Sequence, residues 1–319
     1  MANAFERTLI GEAPAFQSAL RTAGIAAAAD VSVLVLGETG TGKELLGRAL
    51  HAESPRRGGP FVPVNCAALP TEVAESQLFG HRKGAFTGAV ADNGGLVAAA
   101  EGGTLFLDEV GELDCSVQTK LLRFLEAGEY QRVGEAAERR ADVRVVAATN
   151  RDLAAEAAAG RFRQDLFYRL HVVPVELPPL RARPGDVRRL VARFTDELAG
   201  EHGVPAPAFA DDALARLEAY AWPGNVRELR NLCQRLVILL PGRTIAATNL
   251  PPEVAGGNAG EGAGGLTLPE GGIRLDEVEA DFIRQALAKT GGNRSRAARL
   301  LGLSRDTLLY RIKKYAIEG

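Results

Sequence analysis

The stretch LVLGETGTGKELL, Leu34–Leu46, joins a short apolar run to a helix-forming run through a turn carrying glycine at 37, 40 and 42 and lysine at 43. Such glycines let successive backbone N–H groups converge on an anion, and the start of a helix adds a favourable dipole. Between a buried strand and a helix this is a phosphate-binding loop. Gly37, Glu38, Thr39, Gly40, Thr41 and Gly42 form the cradle, and Lys43 reaches the β- and γ-phosphates of a nucleotide such as ATP. Glu44 stands where a magnesium-binding serine or threonine is expected. The loop alone therefore leaves open what holds the metal.

A second run, GGTLFLDEVGEL, ends with Asp108 and Glu109 at its carboxyl tip, the end at which ligands bind in parallel sheets. Asp108 is placed to hold Mg2+, partly through water, and Glu109 to polarise the water that attacks the γ-phosphate. Three further runs resemble these two: Phe61–Asn65, Val143–Thr149 and Val172–Leu177, with the first strand read as Val31–Leu36. All five are continuously apolar rather than alternating, as strands buried on both faces are. Between them GKELLGRALH and SVQTKLLRFLEAG repeat leucine at helical spacing. The pattern predicts an α/β fold with a parallel sheet covered by helices.

From Pro184 the pattern becomes helix after helix, through DVRRLVARFTDELAG, DDALARLEAYA and NVRELRNLCQRLVILL, with no strand-like run between them. Glu253–Gly272 carries glycine at nearly every second or third place and reads as a linker. Two helical runs follow. The expected division is an α/β part over residues 1–180, a helical subdomain over 181–250, a linker over 251–272 and an all-α domain over 273–319.

Composition is that of a globular protein, 46% hydrophobic and 24% charged, with a net charge of −2. The charge is uneven: from Gly291 onward Arg294, Arg296, Arg299, Arg305, Arg311, Lys313 and Lys314 face only Asp306 and Glu318. A basic end on an acidic body suggests a small nucleic-acid module. Cys66, Cys115 and Cys233 are far apart, as are the four histidines, which argues against zinc and for a reducing compartment. No apolar run reaches membrane-spanning length, and MANAFERTLIGEAP lacks the pattern of a secretory signal, so the expectation is a cytoplasmic protein with no membrane role.

NRSRAARLLGLSRDTLLYRIKKY reads as a helix–turn–helix. Asn293 caps its first helix, Ala297, Ala298 and Leu301 form an apolar face, Gly302 permits the turn, and Ser304 caps the second helix. Leu308, Leu309 and Ile312 face inward. Arg305, Asp306, Thr307 and Arg311 are then offered to the major groove, with Lys313 and Lys314 nearer the phosphates. The same residues also suit a solvated three-helix bundle.

GETGTGKE together with GGTLFLDE resembles the AAA+ module of the sigma-54-dependent enhancer-binding activators, the NtrC-like family. In that family a glutamate after the lysine is usual, so Glu44 implies no loss of activity. The resemblance runs from LIGEAPAF to the end of the chain. It implies that Ile10 and Gly11 lie beside the nucleotide, that Asn65 couples the glutamate to nucleotide state, and that Thr149 and Asn150 form a sensor for the γ-phosphate. Arg227 in WPGNVREL becomes a second sensor on the helical lid; a surface ion pair is the alternative.

GRFRQDLFYRL carries Arg163 and Arg169, which in the family reach into the neighbouring subunit's site and stabilise charge on the transferring phosphoryl group. That role requires a ring, usually a hexamer. Local pairing with acids such as Asp165 is the competing reading. Gly84-Ala85-Phe86-Thr87-Gly88-Ala89 is the GAFTGA hexapeptide through which the family engages sigma-54. Its glycines free the backbone on either side of an apolar tip. Exposing Phe86 costs about 1.5–3 kcal/mol, so the ring either finds a transient partner or tucks back into its own domain.

The C-terminal run resembles the Fis-type domain, which implies dimerisation through Leu275–Lys289 and binding to palindromic enhancers. The leading expectation is an ATP- and Mg2+-dependent oligomeric activator that remodels the sigma-54 RNA polymerase holoenzyme from enhancer DNA. A motor for another protein client and a non-hydrolytic DNA-binding regulator are the alternatives. The match starts by about Leu9, as in the standalone phage-shock activators without a receiver domain, which suggests control by a separate regulatory protein, by oligomerisation or by expression level; a truncated chain is equally compatible with the sequence. Arg56, Arg57 and Phe124–Arg140 are expected to form a regulator surface or a second pore loop.

Overall fold

A computed structural model describes all residues except 1–3, 256–274, 302, 304 and 316–319. The chain divides into two compact units, Met1–Gly256 and Gly257–Gly319. In the first, five parallel strands form one sheet: β1 (Val33–Leu36), β2 (Phe61–Asn65), β3 (Thr104–Asp108), β4 (Arg144–Thr149) and β5 (Val173–Glu176), in the order β2-β3-β4-β1-β5. The chain is an α/β protein with a parallel sheet covered by helices, as the apolar runs predict.

Why the three inner strands are apolar at nearly every position is visible in the two cores. Leu34, Leu105, Leu107, Val145 and Ala147 point to one side, against the helices Thr71–Phe79, Cys115–Ala127 and Gln164–Leu170. Val33, Val35, Phe106, Val146 and Ala148 point to the other, against Pro14–Ala28 and Lys43–Ala52. Alternation thus separates two apolar sets. The order brings the carboxyl ends of β1, β3 and β4 side by side, and every candidate catalytic group of the subunit's own site lies at that end. Val31–Ser32, Val143, Val172 and Leu177 fall outside the strands predicted for them.

The helices Asp186–His202, Asp211–Ala219 and Asn225–Leu239 pack around a third core centred on fully buried Trp222. A strand pair was not expected here. Ala208–Phe209 pairs in parallel with Thr244–Ile245, two segments too short to show a periodicity. Pro252–Ala255 is helical, and Val254 packs into this core, so the segment starting at 251 is ordered at its outset. The rest of the glycine-rich stretch lies outside the described residues.

The second unit contains the helices Leu275–Lys289, Arg294–Leu300 and Arg305–Lys314 around Ile283, Ala297, Ala298 and Leu308. Gly302 and Ser304 lie outside the described residues. Among the described residues no helix is long and apolar enough to cross a membrane.

Candidate active site

The phosphate loop opens the helix Lys43–Ala52, whose first amides have no intrahelical partner; the first intrahelical bond runs from Leu46 N to Gly42 O at 3.0 Å. The Lys43 side chain is only 6% exposed, and its Nζ donates to Gly37 O at 3.0 Å and lies 3.5 Å from Glu109 Oε1. Thr41 Oγ1 donates to Glu38 O at 2.8 Å, closing the loop on itself. Glu44 is turned out of the cradle. Its carboxylate pairs with Arg48 at 2.7 Å one helical turn away and is half exposed, so only its backbone faces a phosphate.

Glu109 sits at φ 52°, ψ 48°, a left-handed conformation that costs a non-glycine residue roughly 1–3 kcal/mol. It is held there by Lys43 through Oε1 and by the amide of Asn150, 3.2 Å from Oε2. Burial and the neighbouring Glu109 charge raise the pKa of Asp108, while Lys43 pulls the other way. Two adjacent carboxylates, one of them resisting ionisation, suit a divalent cation. Among the described residues no cluster of three or more His, Cys, Asp or Glu surrounds a possible ion. The two carboxylates at the strand tip are of the oxygen-donor kind that magnesium takes beside water and phosphate oxygens.

Asn150 Nδ2 donates to Thr39 Oγ1 at 3.1 Å, so this residue touches both the loop and Glu109. Thr149 is buried, its hydroxyl accepting from Arg151 N at 3.0 Å and its carbonyl from Gly37 N at 3.3 Å. It braces the loop through its backbone. Asn65 is in register with Asp108 on the neighbouring strand. Its side chain caps the turn Cys66–Ala68 by accepting from Ala67 N at 3.0 Å. The Glu109 carboxylate is held instead by Lys43 and the Asn150 amide.

On the lid side, Arg183 and Asp186 form a buried ion pair at 2.8 Å. Arg183 donates to Ile10 O at 2.5 Å and Asp186 accepts from Glu12 N at 2.7 Å. A Cβ on Gly11 would stand 2.3 Å from Asp186 Oδ2. The Ile10–Gly11 segment is thus tied to the lid, and it is this ion pair that excludes a side chain at 11. Glu38 is salt-bridged to Arg181 at 2.5 Å and accepts from Asn225 Nδ2 at 3.1 Å. The Arg181 and Asn225 hydrogen bonds hold the Glu38 carboxyl at about 2, charged at any ordinary pH. Arg227 is exposed, and its guanidinium has no partner among the described residues; its backbone amide bonds to Gly40 O at 3.3 Å. Asn225 and Arg181 escaped the sequence reading because their partners are distant in the chain.

The two candidate fingers are held differently. Arg163 pairs with Asp165 at 2.6 Å, the local alternative, with both side chains well exposed. Arg169 has no acidic partner; it donates to Leu125 O at 2.9 Å and 3.0 Å and lines a cleft with Asp30, Ser32 and Arg144 at the amino-terminal ends of the strands. That is the end of the sheet opposite its own phosphate loop. Fully buried Gln118 ties this region together. Its Oε1 accepts from Arg163 N at 2.8 Å, and its Nε2 donates to Leu113 O and Arg161 O at 2.8 Å and 3.2 Å. A glutamine on the apolar stripe shared by Val117, Leu121 and Phe124 was the available signal.

GAFTGA lies in the loop between Phe79 and Gly95. Gly84 and Gly88 have φ of 81° and 105°, and Gly84 N donates to Ala89 O at 2.8 Å, which closes the hexapeptide into a finger. Phe86 is 38% exposed and meets the His81 ring edge-on at a centroid distance of 5.0 Å. His81 Nδ1 lies 2.7 Å from Ser76 Oγ in the preceding helix. The ring is therefore partly exposed and partly parked. Thr87 is exposed, whereas Ala89 is buried and faces its own domain. The segment Phe124–Arg140 props the root of this finger, with Arg82 N bonded to Val133 O at 3.0 Å. Arg56 is forked between Asp30 and Asp142, at 2.7 Å and 2.6 Å, and so is committed to holding its own subunit together.

In the C-terminal unit Asn293 caps its helix by accepting from Arg296 N at 3.1 Å. Arg305, Lys313 and Lys314 are exposed. Arg311 is not free for a base: Glu279 of the first helix holds its guanidinium and also accepts from Tyr315. Thr307 is half-buried and also engaged, and the Asp306 side chain lies outside the described residues.

Three family models match the chain: the sigma-54 interaction domain over residues 9–176, the AAA+ ATPase lid domain over 181–265, and the bacterial regulatory protein Fis family over 274–315. Response regulator protein PilR of Pseudomonas aeruginosa is 44% identical over 314 residues, covering 98% of this chain and 71% of that protein. Transcriptional regulatory protein ZraR of Escherichia coli is 45% identical over 306 residues, covering 96% and 68%. NtrX from Brucella abortus, solved in complex with ADP, superposes with a TM-score of 0.76 at 34% identity, covering 97% of this chain and 69% of that one. The same protein solved with ATP gives the same values. With these matches and a nucleotide loop, an acid pair and an intact GAFTGA finger in one unit, the chain belongs to the sigma-54-dependent activator family of AAA+ ATPases with a Fis-type helix–turn–helix.

Proposed function

We propose that the chain hydrolyses ATP between protomers of a ring and uses the cycle to move the GAFTGA finger against sigma-54. The closed complex of the sigma-54 RNA polymerase holoenzyme is thereby remodelled while the protein is bound to enhancer DNA. Lys43 and the loop amides bind the phosphates, Glu109 orients the attacking water, and Asn150 reports the γ-phosphate to both. Asp108 holds Mg2+, partly through water, and the metal supplies charge neutralisation on the phosphate oxygens. Arg163 and Arg169 act on the neighbouring subunit, in a ring of six.

The observation that carries this reading is a short covalent path from the site to the finger. Asn65 stands beside Asp108 and begins the turn Cys66–Ala68; the helix Thr71–Phe79 follows and ends at the finger's root. A change in what Glu109 and Asn65 bond to is thus transmitted along one helix. Residues 1–180, 181–250 and 273–319 serve as motor, lid and DNA anchor. The helix Leu275–Lys289 pairs two anchors, and Arg305, Lys313 and Lys314 contact the duplex. The workplace is the cytoplasm, and a separate protein regulates the ring.

Thr87→Ala tests the client assignment. ATPase activity should persist while open-complex formation at a sigma-54 promoter is lost. A variant that still opens the promoter overturns the assignment.

A further inference from the structure

We propose that Asn225 is a positioning residue for nucleotide: from the lid it grips the outer, carbonyl face of the phosphate loop. Closing the lid and shaping the loop for phosphate then become one event. The inference rests on the reading of Gly37–Lys43 as the phosphate cradle.

A loop whose N–H groups converge on an anion must turn its carbonyls outward, and those carbonyls need donors of their own. Here the lid supplies them. Asn225 Nδ2 donates to Thr39 O at 3.1 Å, Val226 N to Gly40 O at 3.0 Å, and Arg227 N to the same oxygen at 3.3 Å. The same Nδ2 reaches Glu38 Oε2 at 3.1 Å, and Arg181 grips that carboxylate from the lid side as well. Asn225 is fully buried, and its Oδ1 accepts from Leu180 N at 2.8 Å. That bond orients the amide, since a flip would set NH2 against N–H on one side and oxygen against acceptors on the other. The residue holds a left-handed φ of 51°, which asparagine tolerates better than most.

The contact also explains Gly40. A Cβ there would lie 2.3 Å from Gly224 O and 3.2 Å from Arg227 Cβ, both on the lid. Gly40 is small because the lid backbone approaches it, in addition to its φ of 82°. Arg227 follows Asn225 by two residues, so the same latch fixes where this arginine starts relative to the phosphates.

The experiment uses the full chain with Asn225→Gly, which keeps the backbone conformation and removes the amide, and Asn225→Asp, which keeps the shape and removes the donor. Thermal melts establish that each is folded; ATP and ADP dissociation constants, KM and kcat are then measured. Both variants should weaken nucleotide about tenfold, the scale of two lost buried hydrogen bonds, and KM should move more than kcat. Gly40→Ala should weaken binding similarly, and adding Asn225→Gly to it should cost little more, because the lid is already displaced. Unchanged nucleotide affinity in Asn225→Gly, or full additivity with Gly40→Ala, overturns the latch. Lys43→Ala separates the two layers. If it leaves nucleotide binding intact the cradle reading itself fails, whereas loss of binding only in Lys43→Ala removes the latch alone.

Discussion

Lys43 Nζ stands 3.5 Å from Glu109 Oε1, joining the ammonium proposed to meet the phosphates to the carboxylate proposed to orient water. Phosphate oxygens compete with Glu109 for the same ammonium. In the proposed cycle, nucleotide entry frees the carboxylate to turn towards water and Asn65, coupling binding to the state of Glu109.

Glu109→Gln removes the base-like charge and weakens the competitor for Lys43. Turnover should fall by about 10²–10³, the size of one misplaced electrostatic group in a water-excluded site. ATP affinity should be unchanged or tighter. Steady-state hydrolysis and a nucleotide titration check both parts, and weakened ATP binding would count against the competition.

Asp108→Asn should trade function for stability. Because burial and Glu109 raise the Asp108 pKa in the folded state, the unfolded chain gives up that proton at lower pH. Folded stability from this group is therefore present at acid pH and lost as pH rises through the shifted value. A neutral amide removes the penalty. The melting temperature near neutral pH should rise, while hydrolysis drops at least about a hundredfold with loss of the proposed magnesium ligand. Differential scanning calorimetry across pH reads the first and an ATPase assay the second.

Arg163→Ala and Arg169→Ala should each lower turnover by about 10³, with the defect following the subunit that donates the arginine. Mixing either variant with Lys43→Ala subunits should restore part of the activity, because intact sites then meet intact fingers. Stability should separate the pair. The exposed Arg163–Asp165 bridge contributes little to stability, whereas Arg169 also loses its two bonds to Leu125 O.

His81→Leu should leave hydrolysis within about twofold while freeing the Phe86 ring. Aromatic pairs of this kind contribute about 0.5–1.5 kcal/mol, small enough for the nucleotide cycle to break. With Phe86→Trp as reporter, nucleotide-dependent emission should change in the parent and flatten when His81 is replaced. An identical response in both would show that the ring is not parked on His81.

Much of this was legible in the chain itself. The three inner strands are largely apolar because both their faces are covered, a property that each run carries alone, whereas the edge strands Phe61–Asn65 and Val173–Glu176 leave alternate positions exposed. The phosphate loop, the Asp108–Glu109 tip, the Asn293 cap and the GAFTGA finger are likewise contiguous, so their chemistry can be read without knowing what lies beside them. The two-residue strands at Ala208 and Thr244 were illegible because so short a segment has no period, and their order is imposed by pairing with each other.

Tertiary structure alone decided which polar groups meet. Glu38 finds Asn225 across 187 residues of chain and Lys43 finds Glu109 across 66, while Glu44 turns away to Arg48 and Arg311 is taken by Glu279. Periodicity and turn chemistry act within a few residues. A hydrogen bond between distant segments depends on strand order and on how closely the lid approaches the loop, and these are settled only when the whole core packs.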